Sequence, residues 1–100
     1  MSAIPYSAAQ GFASGEFPIV NQRGLHARAS AKFVQMAASF EAHVEVEKDG
    51  VTVDGTSIMG LMMLAAGPGC CIKVRVSGPQ ASDALMSLGK LVASRFGEEI

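Results

Sequence analysis

The sequence predicts a two-layer α+β sandwich with the element order β-α-β-β-α-β-α. Three segments alternate apolar and polar residues, which is typical of strands with one buried and one solvated face. Two other segments carry apolar residues at spacings of three and four, as amphipathic helices do, and a third, short segment is almost entirely apolar. Such a sheet and such helices bury their apolar surfaces by packing against each other in two layers.

The chain opens with a stretch of small, uncharged residues. Residues 1–14 lack both periodicities and contain Pro5 and Gly11, which predicts a flexible leader. The folded domain is therefore expected to cover residues 15–100. Its first element is the apolar run "EFPIVN", residues 16–21, which suits an edge strand because Pro18 has no N–H to donate.

A first helix and a hairpin follow. From Ala27 the apolar residues recur at helical spacing: Ala29, Phe33, Met36, Ala37 and Phe40. "HVEVE" at 43–47 and "VTVD" at 51–54 then alternate, and the intervening "KDG" turns the chain between them. His43 shares the polar face of this hairpin with two glutamates, so we interpret it as a solvated surface residue.

The second helix is short and almost entirely apolar. Ser57 caps "IMGLMML", residues 58–64, and the "GPG" of residues 67–69 ends the helix. A helix lying on a sheet buries one face, so Leu61 and Leu64 are expected to point inward. The residues left exposed, here called the apolar patch, are Ile58, Met59 and Met62. Flexible methionines suit docking surfaces, although loops could instead cover this helix and make it part of the core.

A last strand and helix complete the order. "CCIKVRVS", residues 70–77, alternates with Cys70 on its inward face. Gly78 and Pro79 then open a helix, because proline fits a first helical turn. The apolar stripe of this helix comprises Ala81, Leu85, Leu88, Val92 and Phe96.

Composition excludes several classes of function. One hundred residues with 49% apolar and 17% charged side chains suit one domain, and we expect a monomer. The formal charge of −1 argues against nucleic-acid binding, and no apolar run reaches the length of a membrane span. Cys70 and Cys71 are adjacent, a poor geometry for a mutual disulfide, which favours reduced thiols and a cytoplasmic location. No metal site or cofactor motif is predicted.

His26 stands out within "RGLHARASAKF", residues 23–33. It occupies the predicted cap position of the first helix, whose leading N–H groups, Ala27 to Ala31, lack partners within the helix. Those donors and the helix dipole form an anion site, and a neutral imidazole is a nucleophile. Arg28 could neutralise a phosphoryl group, and Gly24 would let the backbone pass close to a partner. Alternatively, His26 is only a cap and Arg28 only surface charge.

Two motifs together resemble a known family. "GLHARASAKF" and "SIMGLMML", about thirty residues apart in this element order, are similar to those of HPr, the histidine-containing phosphocarrier of the phosphoenolpyruvate-dependent phosphotransferase system. The resemblance covers about Glu16 to Glu99. It implies an open-faced sandwich with an antiparallel sheet in the order 1-4-2-3 and three helices on one face.

The resemblance also implies roles for individual residues. His26 would be phosphorylated on Nδ1, with Arg28 and the helix-start N–H groups holding the phosphate. The apolar patch would dock enzyme I and EIIA-type domains. Ser57 matches the regulatory serine phosphorylated by HPr kinase/phosphorylase, unless it is only a helix cap. The protein would then be a stoichiometric carrier without turnover of its own.

Ala29 departs from the family, which usually has proline directly after the arginine. Alanine restores an N–H and loosens the helix start. The sequence also gives mixed signals about which branch of the phosphotransferase system the protein serves. "SFEAHVEV", the "MML" of the second helix and "GPQASDAL" are similar to the nitrogen-related paralogue, whose output is regulatory, whereas Ser57 in "SIMG" is similar to sugar-type members. Together these resemblances favour the regulatory branch.

Two other functions compete with phosphoryl transfer. One is a non-phosphorylated α+β regulatory module that uses the apolar patch only for binding. The other is a small acyl-phosphate hydrolase on a similar sandwich, for which the expected arginine and asparagine arrangement is missing.

Overall fold

The computed structural model of the chain describes residues 11–100, whose four strands form one antiparallel sheet. The strands are β1 (Phe12–Pro18), β2 (His43–Lys48), β3 (Val51–Asp54) and β4 (Cys71–Ser77). Their order in the sheet is β1-β4-β2-β3, with every neighbouring pair antiparallel. The strand order that the family resemblance implied is therefore confirmed.

Three helices cover one face of this sheet. They are α1 (Ala27–Ala38), α2 (Ile58–Met63) and α3 (Ala81–Ala93), and a 3-10 turn follows at Arg95–Gly97. The helices bury the largest side chains of the core against the strands: Phe33 from α1, Leu61 from α2, and Leu85, Leu88 and Val92 from α3. The predicted α+β sandwich is confirmed. Within residues 11–100, no helix combines the length and the apolar character that crossing a bilayer requires.

The two faces of the sheet differ as the alternation predicts. On β4, Ile72, Val74 and Val76 are buried against the helices. On the opposite face Arg75 donates from Nη1 to Glu47 Oε1 at 2.7 Å. Cys70 lies just before the strand rather than inside it and is only half-buried.

The first strand begins earlier than predicted. β1 starts at Phe12, three residues before the predicted domain boundary at residue 15, and ends at Pro18 instead of residue 21. Its inward residues Ala13 and Gly15 are small, buried and packed against α3. A Cβ on Gly15 would lie 3.4 Å from the ring of Phe17 and 3.6 Å from Leu85 Cδ2. The predicted leader before residue 11 lies outside the described residues.

The last helix is shorter than its apolar stripe. α3 begins at Ala81, after Pro79, and ends at Ala93. Phe96 is buried as the stripe predicts, but it enters the core from the 3-10 turn. From this turn the chain runs back towards the start of α1. We call the returning segment, Arg95 to Ile100, the C-terminal strap.

Candidate functional site

His26 occupies the N-cap of α1, as the sequence predicts. Its carbonyl oxygen accepts the Ser30 N–H at 2.8 Å, the first bond of the helix. Its Nδ1 accepts the Arg28 N–H at 3.3 Å, a long and therefore weak hydrogen bond. The nitrogen that the family resemblance assigns to phosphorylation thus points at the positive end of the helix.

The donors at this helix start are fewer than predicted. Ser30 already donates to His26, so the free N–H groups do not extend to Ala31. Ala27 and Ala29 have N–H groups without a hydrogen-bond partner inside the described part of the chain. The second of these exists only because position 29 is alanine, since proline has no N–H.

The loop before His26 is held against the chain itself. Gly24 has φ 65°, and a Cβ at this position would lie 2.3 Å from the carbonyl oxygen of Ala66. Leu25 donates its N–H to the same oxygen at 2.9 Å, and Ser30 Oγ donates to the Leu25 carbonyl at 3.2 Å. The close approach that Gly24 permits is therefore to Ala66, whereas the sequence suggested a partner.

Arg28 lies on the exposed side of the helix start. Within residues 11–100 its guanidinium makes no ion pair or hydrogen bond, and neither does that of Arg23. Two cations beside the helix start are therefore available to an incoming anion.

Sequence reasoning missed two residues of the site, Asn21 and Glu98. The Nε2 atom of His26 makes a short contact with Glu98 Oε2. Asn21 Nδ2 donates to Glu98 Oε1 at 3.0 Å and to the Gly24 carbonyl at 2.9 Å. Both acceptors are oxygens, which fixes the orientation of the amide. The buried Oδ1 of Asn21 finds no hydrogen-bond partner among the described residues.

These contacts favour the ionised form of Glu98. The hydrogen bond from Asn21 lowers the pKa of the carboxyl below its ordinary value of 4.5, and His26 and the charge of Arg23 lower it further. A lowered pKa in the folded state stabilises the fold at every pH where the carboxyl is ionised.

We expect this contribution to depend on pH in one direction. It is fully present above about pH 4.5, the ordinary pKa of glutamate, and is lost as the pH falls through the lower pKa of the folded state. Urea unfolding of the wild type and of Glu98→Gln should therefore differ most above about pH 5 and converge as the solution becomes more acidic. A constant difference across this range would contradict the assignment.

Ser57 caps the second helix. Its Oγ accepts the Gly60 N–H at 2.9 Å, and its side chain is half-buried. Gly60 packs tightly against the cap, because a Cβ there would lie 3.0 Å from Ser57 Oγ and 3.1 Å from Val53 Cβ. No hydrogen bond within residues 11–100 joins Ser57 to His26 or Arg28.

The apolar patch on α2 is exposed. Leu61 is fully buried and Leu64 nearly so, whereas Met59 is 74% exposed. Ile58 and Met62 are 41% and 43% exposed. The alternative of a covered core helix is therefore wrong for the described residues. Met63, which lies outside the predicted patch, is exposed as well.

The described residues offer little other chemistry. Between residues 11 and 100 no group of three or more histidine, cysteine, aspartate or glutamate side chains is arranged to hold a metal ion. His43 lies on the solvated sheet face, 3.5 Å from Glu45, as interpreted from the sequence. Cys70 and Cys71 are both free thiols.

Comparison with known proteins identifies the family. The family model described as "PTS HPr component phosphorylation site" matches residues 13–94. A phosphocarrier protein HPr from Cupriavidus necator is 49% identical over 80 residues, which cover 80% of this chain and 90% of that protein. Both alignments include His26 and α2.

Solved structures agree with this match. An HPr from Thermoanaerobacter tengcongensis superposes with a TM-score of 0.83 at 40% identity, covering 87% of this chain and 98% of that one. The structure of an HPr dimer from the same organism has a TM-score of 0.69 at 42% identity and covers 80% and 92% of the two chains. With the sheet order, the histidine cap and these relatives in agreement, the chain belongs to the HPr family, the phosphocarrier proteins of the phosphotransferase system.

Proposed function

We propose that this phosphocarrier accepts a phosphoryl group on Nδ1 of His26 from phosphorylated enzyme I and passes it to an EIIA-type domain. The supporting observation is the direction of Nδ1, which faces the start of α1, where the N–H groups of Ala27 and Ala29 find no hydrogen-bond partner within residues 11–100. A phosphoryl group brings three acceptor oxygens, and a helix N-terminus supplies donors and positive potential for them. The exposed guanidinium of Arg28 adds a charged donor.

Phosphorylation with phosphoenolpyruvate and enzyme I tests the proposal. We expect the wild type to acquire an acid-labile, base-stable phosphate, which is characteristic of phosphohistidine, and His26→Ala to acquire none. His43→Ala is the matched control, because His43 lies on the solvated sheet face and should not affect the reaction. An unphosphorylated wild type, or a phosphate that persists in His26→Ala, would sink the proposal.

The competing function is a regulatory module that binds partners without being phosphorylated. It draws support from the exposure of the apolar patch, which lies on α2 and not on the helix that His26 caps. A wild type that binds its partners but takes up no phosphate would favour this function.

We also propose that the apolar patch docks enzyme I and the downstream acceptors. Met62→Glu should weaken binding to enzyme I at least about tenfold, because a carboxylate would be desolvated in the interface. The melting temperature should change little, since Met62 is already exposed. Binding is measured by titration calorimetry.

Met86→Glu is the matched control for this prediction. Met86 lies on α3 and is 49% exposed, close to the 43% of Met62, so both variants add the same charge at similar exposure. Equal weakening by both variants would indicate a general charge effect and contradict docking through α2. A large loss of stability in Met62→Glu would mean that Met62 belongs to the core.

We propose Ser57 as a regulatory phosphorylation site, with HPr kinase/phosphorylase as a further partner. A phosphate at this N-cap is compatible with the helix but places about −1.5 to −2 charges beside Ile58. Ser57→Asp should slow transfer from enzyme I and keep the fold, because aspartate also caps helices.

Ser57→Ala shows whether an effect on transfer comes from the added charge or from loss of the helix cap. It removes the hydrogen bond to Gly60 at a cost of about 1 kcal/mol and adds no charge, so transfer should stay near the wild-type rate. If Ser57→Asp transfers as fast as Ser57→Ala, the regulatory role is contradicted.

Finally, we propose a monomeric, cytoplasmic protein of the regulatory, nitrogen-related branch. The segments "SFEAHVEV" and "GPQASDAL" support the branch, and the free thiols suit a reducing compartment. Transfer rates from sugar-type and nitrogen-type enzyme I, compared in parallel, test this choice. Faster transfer from the sugar-type enzyme would assign the other branch.

A further inference from the structure

The C-terminal strap returns over His26 through an unusual turn. Arg95, Phe96 and Gly97 have φ values of 61°, 54° and 80°, three consecutive residues in the left-handed region. This region is unfavourable for a bulky residue such as phenylalanine. The turn reverses the chain after α3 and directs Glu98 towards the helix start.

Both ends of the strap are attached to the site. Lys32 of α1 donates from Nζ to the Phe96 carbonyl at 2.7 Å, and the fully buried Phe96 ring anchors the turn. At the other end the Ile100 carbonyl accepts the Gln22 N–H at 3.1 Å. Glu98 is thus fixed between two attachments, and Asn21 orients its carboxyl group.

The contact between Glu98 and His26 determines where the imidazole carries its proton. An ionised carboxylate only accepts hydrogen bonds, so Nε2 must be the protonated nitrogen. Nδ1 is then unprotonated and keeps its lone pair, which agrees with its role as acceptor of the Arg28 N–H. The two side chains are only 16% and 17% exposed, so water competes weakly for this contact.

We propose that Glu98 is a positioning residue that holds the proton of Nε2 while His26 accepts and releases a phosphoryl group, an inference that rests on the proposed function. The lone pair of Nδ1 forms the bond to phosphorus. The bond between phosphorus and the donor breaks, and its electron pair leaves with the donor. Nε2 keeps its proton, so the ring becomes a phosphoimidazolium with one positive charge. On release the N–P electron pair returns to Nδ1, and the ring is neutral again.

A carboxylate beside the imidazole ring compensates for the positive charges around it. Besides Glu98, the strap carries the carboxylate of Glu99. The cationic side chains on the elements next to the ring are Arg23 in the preceding loop, Arg28 and Lys32 on α1, and Arg95 on the strap. Together with the helix dipole they oppose a positive ring. Glu98 is the one carboxylate that contacts His26 within residues 11–100. Its charge offsets the phosphoimidazolium and keeps the proton available for release of neutral imidazole.

Glu98→Gln tests this inference, with Glu99→Gln as the matched control. Glu99 is the exposed neighbour, and only its backbone carbonyl is used, by Arg95. Both variants remove one negative charge from the strap. The protein is phosphorylated with phosphoenolpyruvate and enzyme I, and the ³¹P resonance of phospho-His26 is followed against pH.

In Glu98→Gln we expect the midpoint of this titration to fall by about one pH unit and transfer to and from His26 to slow about tenfold at pH 7. Glu99→Gln should match the wild type. Glu98→Asp, which retains the charge, should recover part of the midpoint shift, and a purely structural role would not produce this recovery.

The outcomes distinguish the proposed function from the role of Glu98. A wild type that takes up no phosphate overturns the proposed function and this inference with it. Normal phosphorylation with the same midpoint in Glu98→Gln, Glu99→Gln and the wild type overturns only the role of Glu98.

Discussion

Replacing Gly24 with alanine is expected to destabilise the protein by about 3 kcal/mol and to impair phosphorylation at His26. The new Cβ would lie 2.3 Å from the Ala66 carbonyl oxygen and 2.9 Å from Gly67 Cα, and both are backbone atoms. The left-handed conformation alone costs alanine about 1–2 kcal/mol. Relieving the overlap also breaks the hydrogen bond from Leu25 to Ala66, which contributes about 1 kcal/mol.

Gly50→Ala is the matched control for this substitution. Gly50 has φ 82°, similarly left-handed, but a Cβ there has nothing within 4 Å. Gly50→Ala should therefore lower the free energy of unfolding only by the cost of the left-handed backbone. This cost is about 1 kcal/mol after the lower entropy of the unfolded chain is included. Urea unfolding measures both, and transfer from enzyme I should slow only in Gly24→Ala. Equal stability losses would show that contact with Ala66 does not matter.

Regular alternation predicts the central hairpin closely. The observed β2 and β3, His43–Lys48 and Val51–Asp54, match the predicted strands except for one added residue in β2. This agreement has a local cause on β2, which presents Val44 and Val46 to the helices and polar residues to water. On the edge strand β3 the pattern overstates burial, since Val51 is exposed.

The first strand shows where the pattern fails. Ala13 and Gly15 face inward, yet neither is a strong apolar signal. They are small because α3 packs against them, and Gly89 of that helix also leaves room for the ring of Phe17, 3.0 Å from its hypothetical Cβ. Close packing between distant segments thus replaced the large side chains on which strand prediction depends.

The candidate site was likewise predictable only where its residues depend on local sequence. His26, Arg28 and Ser57 could be identified because each depends on a helix start, which is visible over a few residues. Glu98 lies 72 positions from His26 and Asn21 lies 77 positions from Glu98, so no local spacing connects them. A carboxylate near the end of the chain gave no signal beyond ordinary surface charge.

Phe96→Ala is expected to lower the free energy of unfolding by about 3–5 kcal/mol, a large part of the total of about 5–15 kcal/mol for a domain of this size. The ring is fully buried although the residue has φ 54°. Burial of a phenylalanine contributes about 2–3 kcal/mol, which exceeds the 1–2 kcal/mol that the left-handed backbone costs. Alanine at this position still has the unfavourable backbone conformation but lacks the buried ring. The turn should therefore also become less rigid.

Phe12→Ala provides the comparison, because Phe12 is an aromatic residue on an edge strand and is 41% exposed. It should cost about 1 kcal/mol, since much of the ring is already in water. Urea unfolding at neutral pH measures both variants. A loss below about 1 kcal/mol in Phe96→Ala would mean that the ring does not anchor the strap. If instead the loss is large and Glu98 also loses its effect on phospho-His26, the buried ring and the carboxylate act through the same turn, since Phe96 and Glu98 are separated only by Gly97.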